Sequence, residues 1–253
     1  MLRLILAFLF VGTLAHAQET VVAGLSQNRV SITANFDGSE ILIFGAIKRE
    51  TAVPDYAPLQ VIIALNGPPK STTVRRKERI FGIWANKDSA KFDSTPSFYA
   101  LATTAPLNDI LSASDDARYG IRIGSIIKLN VEPGNNLNLP EFRESIIRIR
   151  EANGLYSERE GIVELNDETL FNANISLPSN LVEGDYRMRI FLTRNRQVID
   201  DFETEIAVRK VGLERWIFNL AHERPLIYGL LSLTIAILAG WAASAVFRLL
   251  KLN

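Results

Sequence analysis

The residues whose types and spacing best suit chemistry at a surface lie in one run, "TTVRRKERIFGIWANK", residues 72–87. Arg75, Arg76, Lys77 and Arg79 concentrate positive charge, and Trp84 adds an aromatic face beside it. Guanidinium, ammonium and indole together can hold an anionic group by charge and stacking. The cluster is therefore a candidate binding face for lipid headgroups, an anionic ligand or an acidic partner protein. The alternative is a solvated hairpin whose Trp84 packs inward.

Other chemistry is poorly supplied. The chain contains no cysteine and two histidines, His16 and His222. His16 falls in an export signal described below, so His222 alone remains. A Ser-His-Asp triad, a cysteine nucleophile and the usual zinc ligand sets all need more than that. Carboxylates come as adjacent pairs, Asp115-Asp116 and Asp200-Asp201, in polar, turn-like surroundings. Neighbours on a strand point to opposite faces, so such pairs do not converge on a substrate and read as solvated turns. "GSIIKLN" lacks the spacing of a phosphate-cradling loop. No catalytic residue, metal or cofactor is implied, and the expectation is a protein that is not an enzyme.

Composition agrees. Lys+Arg 28 balance Asp+Glu 28, which gives no global reason to expect nucleic acid. Two segments stand apart from the body. Residues 1–17 carry Arg3, an apolar run from Leu4 to Leu14 and Ala15-His16-Ala17, the pattern of a signal peptide cut before Gln18. Leu226–Leu250 hold no charge until Arg248, long enough to cross a bilayer, and a transmembrane helix is expected over residues 226–248. A cleaved signal followed by one stop-transfer segment places the body outside and a tail, residues 249–253, in the cytoplasm. Arg248 and Lys251 agree with that orientation, but Arg209, Lys210, Arg215 and Arg224 lie on the other flank. The signal pattern decides it.

Between them the period-two pattern predicts a mainly β body. Residues 18–105 form an N-terminal β domain. There "NRVSITANFDGSEILIFGAI" reads as a hairpin turning at Asp37-Gly38, "LQVIIAL" as a buried strand, and "ERIFGIWAN" and "PSFYALATT" as two more. Residues 106–155 form a helical and loop insertion. Its main helix, "PEFRESIIRIREANG", has Pro140 in the first turn and Phe142, Ile146, Ile149 and Asn153 on one face. "SIIKLNVEPGNNLNLP" before it suggests a strand, beginning at "SIIKLN", and an exposed loop. Residues 156–210 form a second β region, where "EGDYRMRIF" has the look of a tyrosine corner at Tyr186. The body is thus expected to be an immunoglobulin-like β-sandwich in part, formed as one sandwich or two. Residues 211–225 carry Leu213, Trp216, Ile217 and Leu220 at helical spacing, as an interfacial helix or as a plain linker helix packed on the body.

Within the span, Ser232, Ala236, Gly240 and Ser244 repeat small residues every four positions. On a helix they share a face that another helix could approach closely, whether a second copy or a polytopic partner.

The export signal, "LSQNRVSITANFDGSEILIFGAI", "RRKERIFGIWAN", "PSFYALATTAPLNDIL" and the single C-terminal span together resemble the alphaproteobacterial transmembrane protein family. The resemblance covers nearly the whole chain. It implies a Gram-negative inner-membrane protein facing the periplasm and carries over no catalytic residue. An association with membrane exporters of sulfite-type anions, which no residue here shows, supplies a candidate partner. The expected role is a membrane-anchored binding or accessory module beside an integral membrane partner, touching inner-membrane lipid and no nucleic acid. An anchored carboxylate-dependent enzyme and an envelope structural protein are the competing readings.

Overall fold

A computed structural model describes residues 19–33, 36–49, 57–127 and 138–250. The expected signal peptide at 1–17 and the end of the tail, 251–253, lie outside the described residues.

The body is mainly β. One sheet runs β1 (Thr20–Leu25), β3 (Gly38–Lys48), β10 (Leu170–Pro178), β9 (Glu164–Asn166), all antiparallel. The second runs β2 (Arg29–Ile32), β12 (Gln197–Lys210), β11 (Gly184–Arg194), β4 (Gln60–Asn66), β7 (Tyr99–Thr103), β8 (Tyr156–Arg159). Here β2 joins β12, and β8 joins β7, in parallel, while the inner pairings are antiparallel.

Burial follows the sequence pattern. In β10, Phe171, Ala173, Ile175 and Leu177 point inward and alternate with less buried Asn172, Asn174 and Ser176. In β4, Val61 to Leu65 are all buried, as an unbroken apolar run in a central strand requires. Residues of both sheets, among them Ile41, Phe171, Ile63 and Ile190, belong to one hydrophobic core. Gly45 has a packing reason. A Cβ there would meet the Phe171 ring and come within 2.8 Å of the Val22 carbonyl.

The expected β2–β3 hairpin is corrected. β2 pairs in parallel with β12, whereas β3 pairs with β1 and β10, so the two strands belong to different sheets and form no hairpin. Long-range pairing, not the local turn signal, decided the partner of each strand. Between β7 and β8 lie α1 (Leu107–Ile110), α2 (Ala113–Tyr119), α3 (Ile123–Ile126) and α4 (Leu139–Ala152). The strand expected at "SIIKLN" is replaced at its start by α3, and residues 128–137 lie outside the described residues. In α4, Phe142 and Ile146 are buried, but Ile149 is exposed. The Tyr186 hydroxyl donates to the Val182 carbonyl at 2.8 Å, closing the corner where β11 begins. Burial pushes this phenol up to about 12.

α5 (Leu213–Glu223) and α6 (Pro225–Leu250) follow β12. Over Pro225–Val246, α6 is long and apolar enough to cross a membrane, with mean hydropathy 2.0 and no part buried against the body.

Candidate functional site

"ERIFGIWAN" is not one strand. It is the end of a long hairpin formed by β5 (Pro69–Ile80) and β6 (Ile83–Pro96), turning at Phe81-Gly82. The apolar alternation on both sides of that turn imitates a continuous strand, and Phe-Gly is not a usual turn pair. Phe81 has φ 49° and Gly82 φ 85°. Two positive φ values between paired strands make the type I′ geometry, in which Asn-Gly or Asp-Gly is preferred. A bulky residue in the left-handed region costs about 1–3 kcal/mol, and such strain collects at functional sites.

The base of the hairpin is well held. Val74, Ala90 and Phe92 are buried, the Thr72 and Thr95 hydroxyls lie 2.9 Å apart, and the Tyr156 hydroxyl donates to the Pro96 carbonyl at 2.7 Å. The far end is bare. Phe81 is 102% exposed, Ile83 73% and Trp84 68%, and Ile80 is exposed beside them.

The structure divides the expected basic cluster. On β5, alternation puts Arg75, Lys77 and Arg79 on one face, and the register sets Trp84 opposite Arg79. Arg76 belongs to the other face, where it is occupied. Its Nε donates to Asp88 at 3.0 Å, its Nη1 lies 3.3 Å from Glu141 of α4, and its guanidinium sits 5.9 Å from the centre of the Phe142 ring. Lys87, the extra residue where the register shifts, pairs with Glu78. The hairpin's carboxylates near the end, Glu78 and Asp88, are thus matched by Lys87 and Arg76. Among the described residues no ion pair engages Arg75, Lys77 or Arg79; Arg79 Nε only reaches the Gly82 carbonyl at 3.3 Å. Trp84 does not pack inward.

Other candidates resolve into structural parts. The acidic pairs are not solvated turns. Asp116 is buried and accepts from Ile121 N at 3.2 Å, Arg122 N at 2.7 Å and Ser125 Oγ at 2.7 Å, while Asp115 accepts from Val198 N at 2.8 Å. Asp200 and Asp201 lie in β12, where Asp200 accepts from Val21 N at 2.8 Å. Asp115, Asp116 and Asp200 fasten backbone across elements, a role that adjacent-pair spacing could not reveal. Arg189 borders a cleft of about 490 Å³ at the hairpin base. Its Nη1 and Nη2 donate to the Tyr119 and Gly120 carbonyls at 2.6 and 2.9 Å, and burial lowers its pKa. That guanidinium clamps the end of α2, as a cation does at a helix C-terminus. His222 stacks on Phe218 with its Nδ1 2.8 Å from the Phe218 carbonyl. Among the described residues no group of three or more His, Cys, Asp or Glu could hold a metal ion.

Sequence reasoning missed one site of charge. Glu19 and Arg194 are each 3% exposed and bonded by two contacts, Nε to Oε2 at 2.7 Å and Nη2 to Oε1 at 2.9 Å. Arg49 reaches Glu19 at 2.6 Å and Arg194 reaches Glu168 at 2.7 Å. The hydrogen bond from Arg194, helped by Arg49, holds the Glu19 carboxyl below its usual range, and the same bond raises Arg194. The partners are up to 175 positions apart, so no local signal could have found them.

In the membrane segment, Ser232, Ala236, Gly240 and Ser244 all lie on exposed helix. Nothing comes within 4 Å of a Cβ built at Gly240. The Ser232 hydroxyl donates to the Tyr228 carbonyl at 2.9 Å, so its proton is already used within the helix.

A family model described as "Putative transmembrane protein (Alph_Pro_TM)" matches residues 20–249. The chain belongs to this family. The match spans both sheets, the hairpin and α6, so the body and the membrane helix go together as one family architecture. No curated protein matches the chain in sequence.

Proposed function

We propose that this family member is a single-pass protein of the inner (cytoplasmic) membrane whose body lies in the periplasm. It acts as a non-enzymatic binding or accessory module beside an integral membrane partner. An exporter of sulfite-type anions is a candidate partner. The observation that carries the reading is the state of α6: a span-length apolar helix with no part packed on the body, leaving its whole girth for lipid and another helix. The small residues Ser232, Ala236, Gly240 and Ser244 supply the face on which close approach is possible, toward a second copy or a polytopic partner. On the hairpin, Arg75, Lys77, Arg79 and Trp84 supply a basic and aromatic face that no ion pair matches among the described residues. Because Asp115, Asp116 and Asp200 are spent on backbone bonds, the anchored carboxylate enzyme is less supported than binding. The structural envelope role has no residue of its own to argue from. The two sheets over one core, with the Tyr186 corner, support reading the body as a single β-sandwich, immunoglobulin-like in part. We take α5 as interfacial, with exposed Trp216 at headgroup level.

Two measurements test this. Alkaline phosphatase fused after Arg209 should be active and fused after Asn253 inactive; the reverse refutes the topology. Gly240→Ile with Ala236→Ile should abolish cross-linking of α6 to its neighbour, while Leu238→Val with Ile235→Val should not. Equal cross-linking in both variants would show that the small face is incidental.

A further inference from the structure

We propose that the end of the β5–β6 hairpin is a lipid-inserting loop: Ile80, Phe81, Ile83 and Trp84 enter an anionic bilayer surface while Arg79, Lys77 and Arg75 bind its headgroups. This rests on the reading of the chain as membrane-anchored, and deepens it by naming what the basic face meets.

Three observations converge. Ile80–Trp84 is an uncharged stretch at the point of a long hairpin, and its large side chains are exposed although the base of the same hairpin is buried. Phe81 occupies a left-handed position where Asn or Asp would relieve the backbone, so the fold gains nothing from phenylalanine there. The charges are sorted: the acidic residues nearest the end are paired with Lys87 and Arg76, while among the described residues no ion pair engages Arg75, Lys77 or Arg79 on the face that carries Trp84.

The spacing fits a bilayer. At about 3.3 Å per residue, Lys77 trails Arg79 by roughly 7 Å and Arg75 by roughly twice that. The headgroup layer is about 5–8 Å deep on each side, so apolar residues at the point can reach the acyl boundary with Arg79 and Lys77 among the phosphates. Trp84 sits at the level where an indole, apolar in body and polar at one edge, is favoured. A convex apolar point needs a matching pocket to bury itself in a protein, whereas a lipid surface conforms to it. β4 and β12 run in the same direction in their sheet, so the chain leaves for the hairpin and for α5 and α6 at the same sheet end, which favours reach to that surface.

The full-length chain is reconstituted in vesicles of phosphatidylcholine alone, or of equal parts phosphatidylcholine and phosphatidylglycerol. The native sequence has no cysteine, so Ile83→Cys takes a single polarity-sensitive fluorophore, and Ser114→Cys, at an exposed position of α2, serves as control. In anionic vesicles the label at 83 should be shielded from aqueous iodide and quenched by nitroxide lipid, and the label at 114 should not. Changing Arg75, Lys77 and Arg79 to Ser should reduce the inserted-to-free ratio about 100-fold, roughly five-fold for each cation at the surface. Phe81→Asn should reduce it about 30-fold while restoring a preferred turn pair, so that loss of insertion cannot be laid to loss of the hairpin. A label at 83 open to iodide in both vesicles overturns the proposal. Shielding seen only in native membranes, not in pure lipid, assigns the site to a protein and also overturns it, leaving the accessory-module reading intact. Shielding that grows with protein-to-lipid ratio assigns it to a second copy, with the same consequence. Topology and α6 cross-linking are read separately, so failure there is not confused with failure here.

Discussion

Removing the Glu19 carboxylate should expose how the two sheets are fastened. Glu19 lies just before β1 of one sheet, Arg194 ends β11 of the other, and Arg49 and Glu168 complete the group. Both principal side chains are 3% exposed. Truncating one member of a buried pair typically costs about 3–5 kcal/mol, because the partner's charge is left in a dry place. In Glu19→Ala, Arg194 keeps Glu168, whose side chain is partly exposed, and the Ala57 carbonyl. The lower end, about 3 kcal/mol, is therefore expected. For a body of this size, 1 kcal/mol moves Tm by about 2–4 °C, so the midpoint should fall by roughly 6–12 °C. Near-UV circular dichroism of the detergent-solubilised full chain reads this, since the aromatic core belongs to the body.

Two controls make the argument refutable. Glu19→Leu with Arg194→Met removes both charges, and should lie within about 1 kcal/mol of the parent, because an apolar pair often replaces a buried ion pair without loss. The sign with pH is also fixed. The folded-state pKa of Glu19 is depressed, so its contribution is fully present above the unfolded value of about 4.3. It is lost as pH falls through the folded pKa. The Tm gap between parent and Glu19→Ala should thus hold at neutral pH and close in acid. A gap under about 2 °C at pH 7, a gap that widens in acid, or a double variant as weak as the single one would refute the reasoning.

Tyr186→Phe deletes one buried donor and leaves the Val182 carbonyl unpaired; a loss of about 1 kcal/mol, or a few degrees of Tm, is expected. Gly45→Ala places a methyl against Phe171 and the Val22 carbonyl, and should destabilise by about 1–3 kcal/mol. Adding Phe171→Leu to Gly45→Ala should recover part of that loss in the same melt, because the ring is the movable half of the clash.

Elements that depend on their own neighbours were readable. β4 was visible as an unbroken apolar run, β11 as alternation beginning at the Gly184 turn, and α6 as length without charge. What failed depended on distant partners. Val30 and Ile32 alternate correctly, yet nothing near them shows that β12, about 180 residues on, would take them in parallel. Asp116 looked solvated because its three donors come from the loop and α3 that fold over it. The basic run was found as a cluster, but its division was missed. Once the segment is a strand, alternation alone sends Arg76 to α4 and leaves Arg75, Lys77 and Arg79 together.

The same hairpin shows why apolar alternation misled at "RIFGIW". Alternation ordinarily marks a strand with one face in the core, because burial is what makes Ile, Phe and Trp favourable there. Here the strand signal was correct and the burial was not. Ile80 and Ile83 face each other across the turn, Arg79 faces Trp84, and none of the apolar four has body to cover it. A protein under selection for stability alone would place Asn-Gly at this turn, removing the strain at Phe81 and the exposed ring together. That both penalties sit on one residue, at the point farthest from the buried base and directly ahead of three cations that no described residue pairs, locates the reason for them outside the body. Local sequence rules fail at this turn because they assume that a hairpin end meets only water.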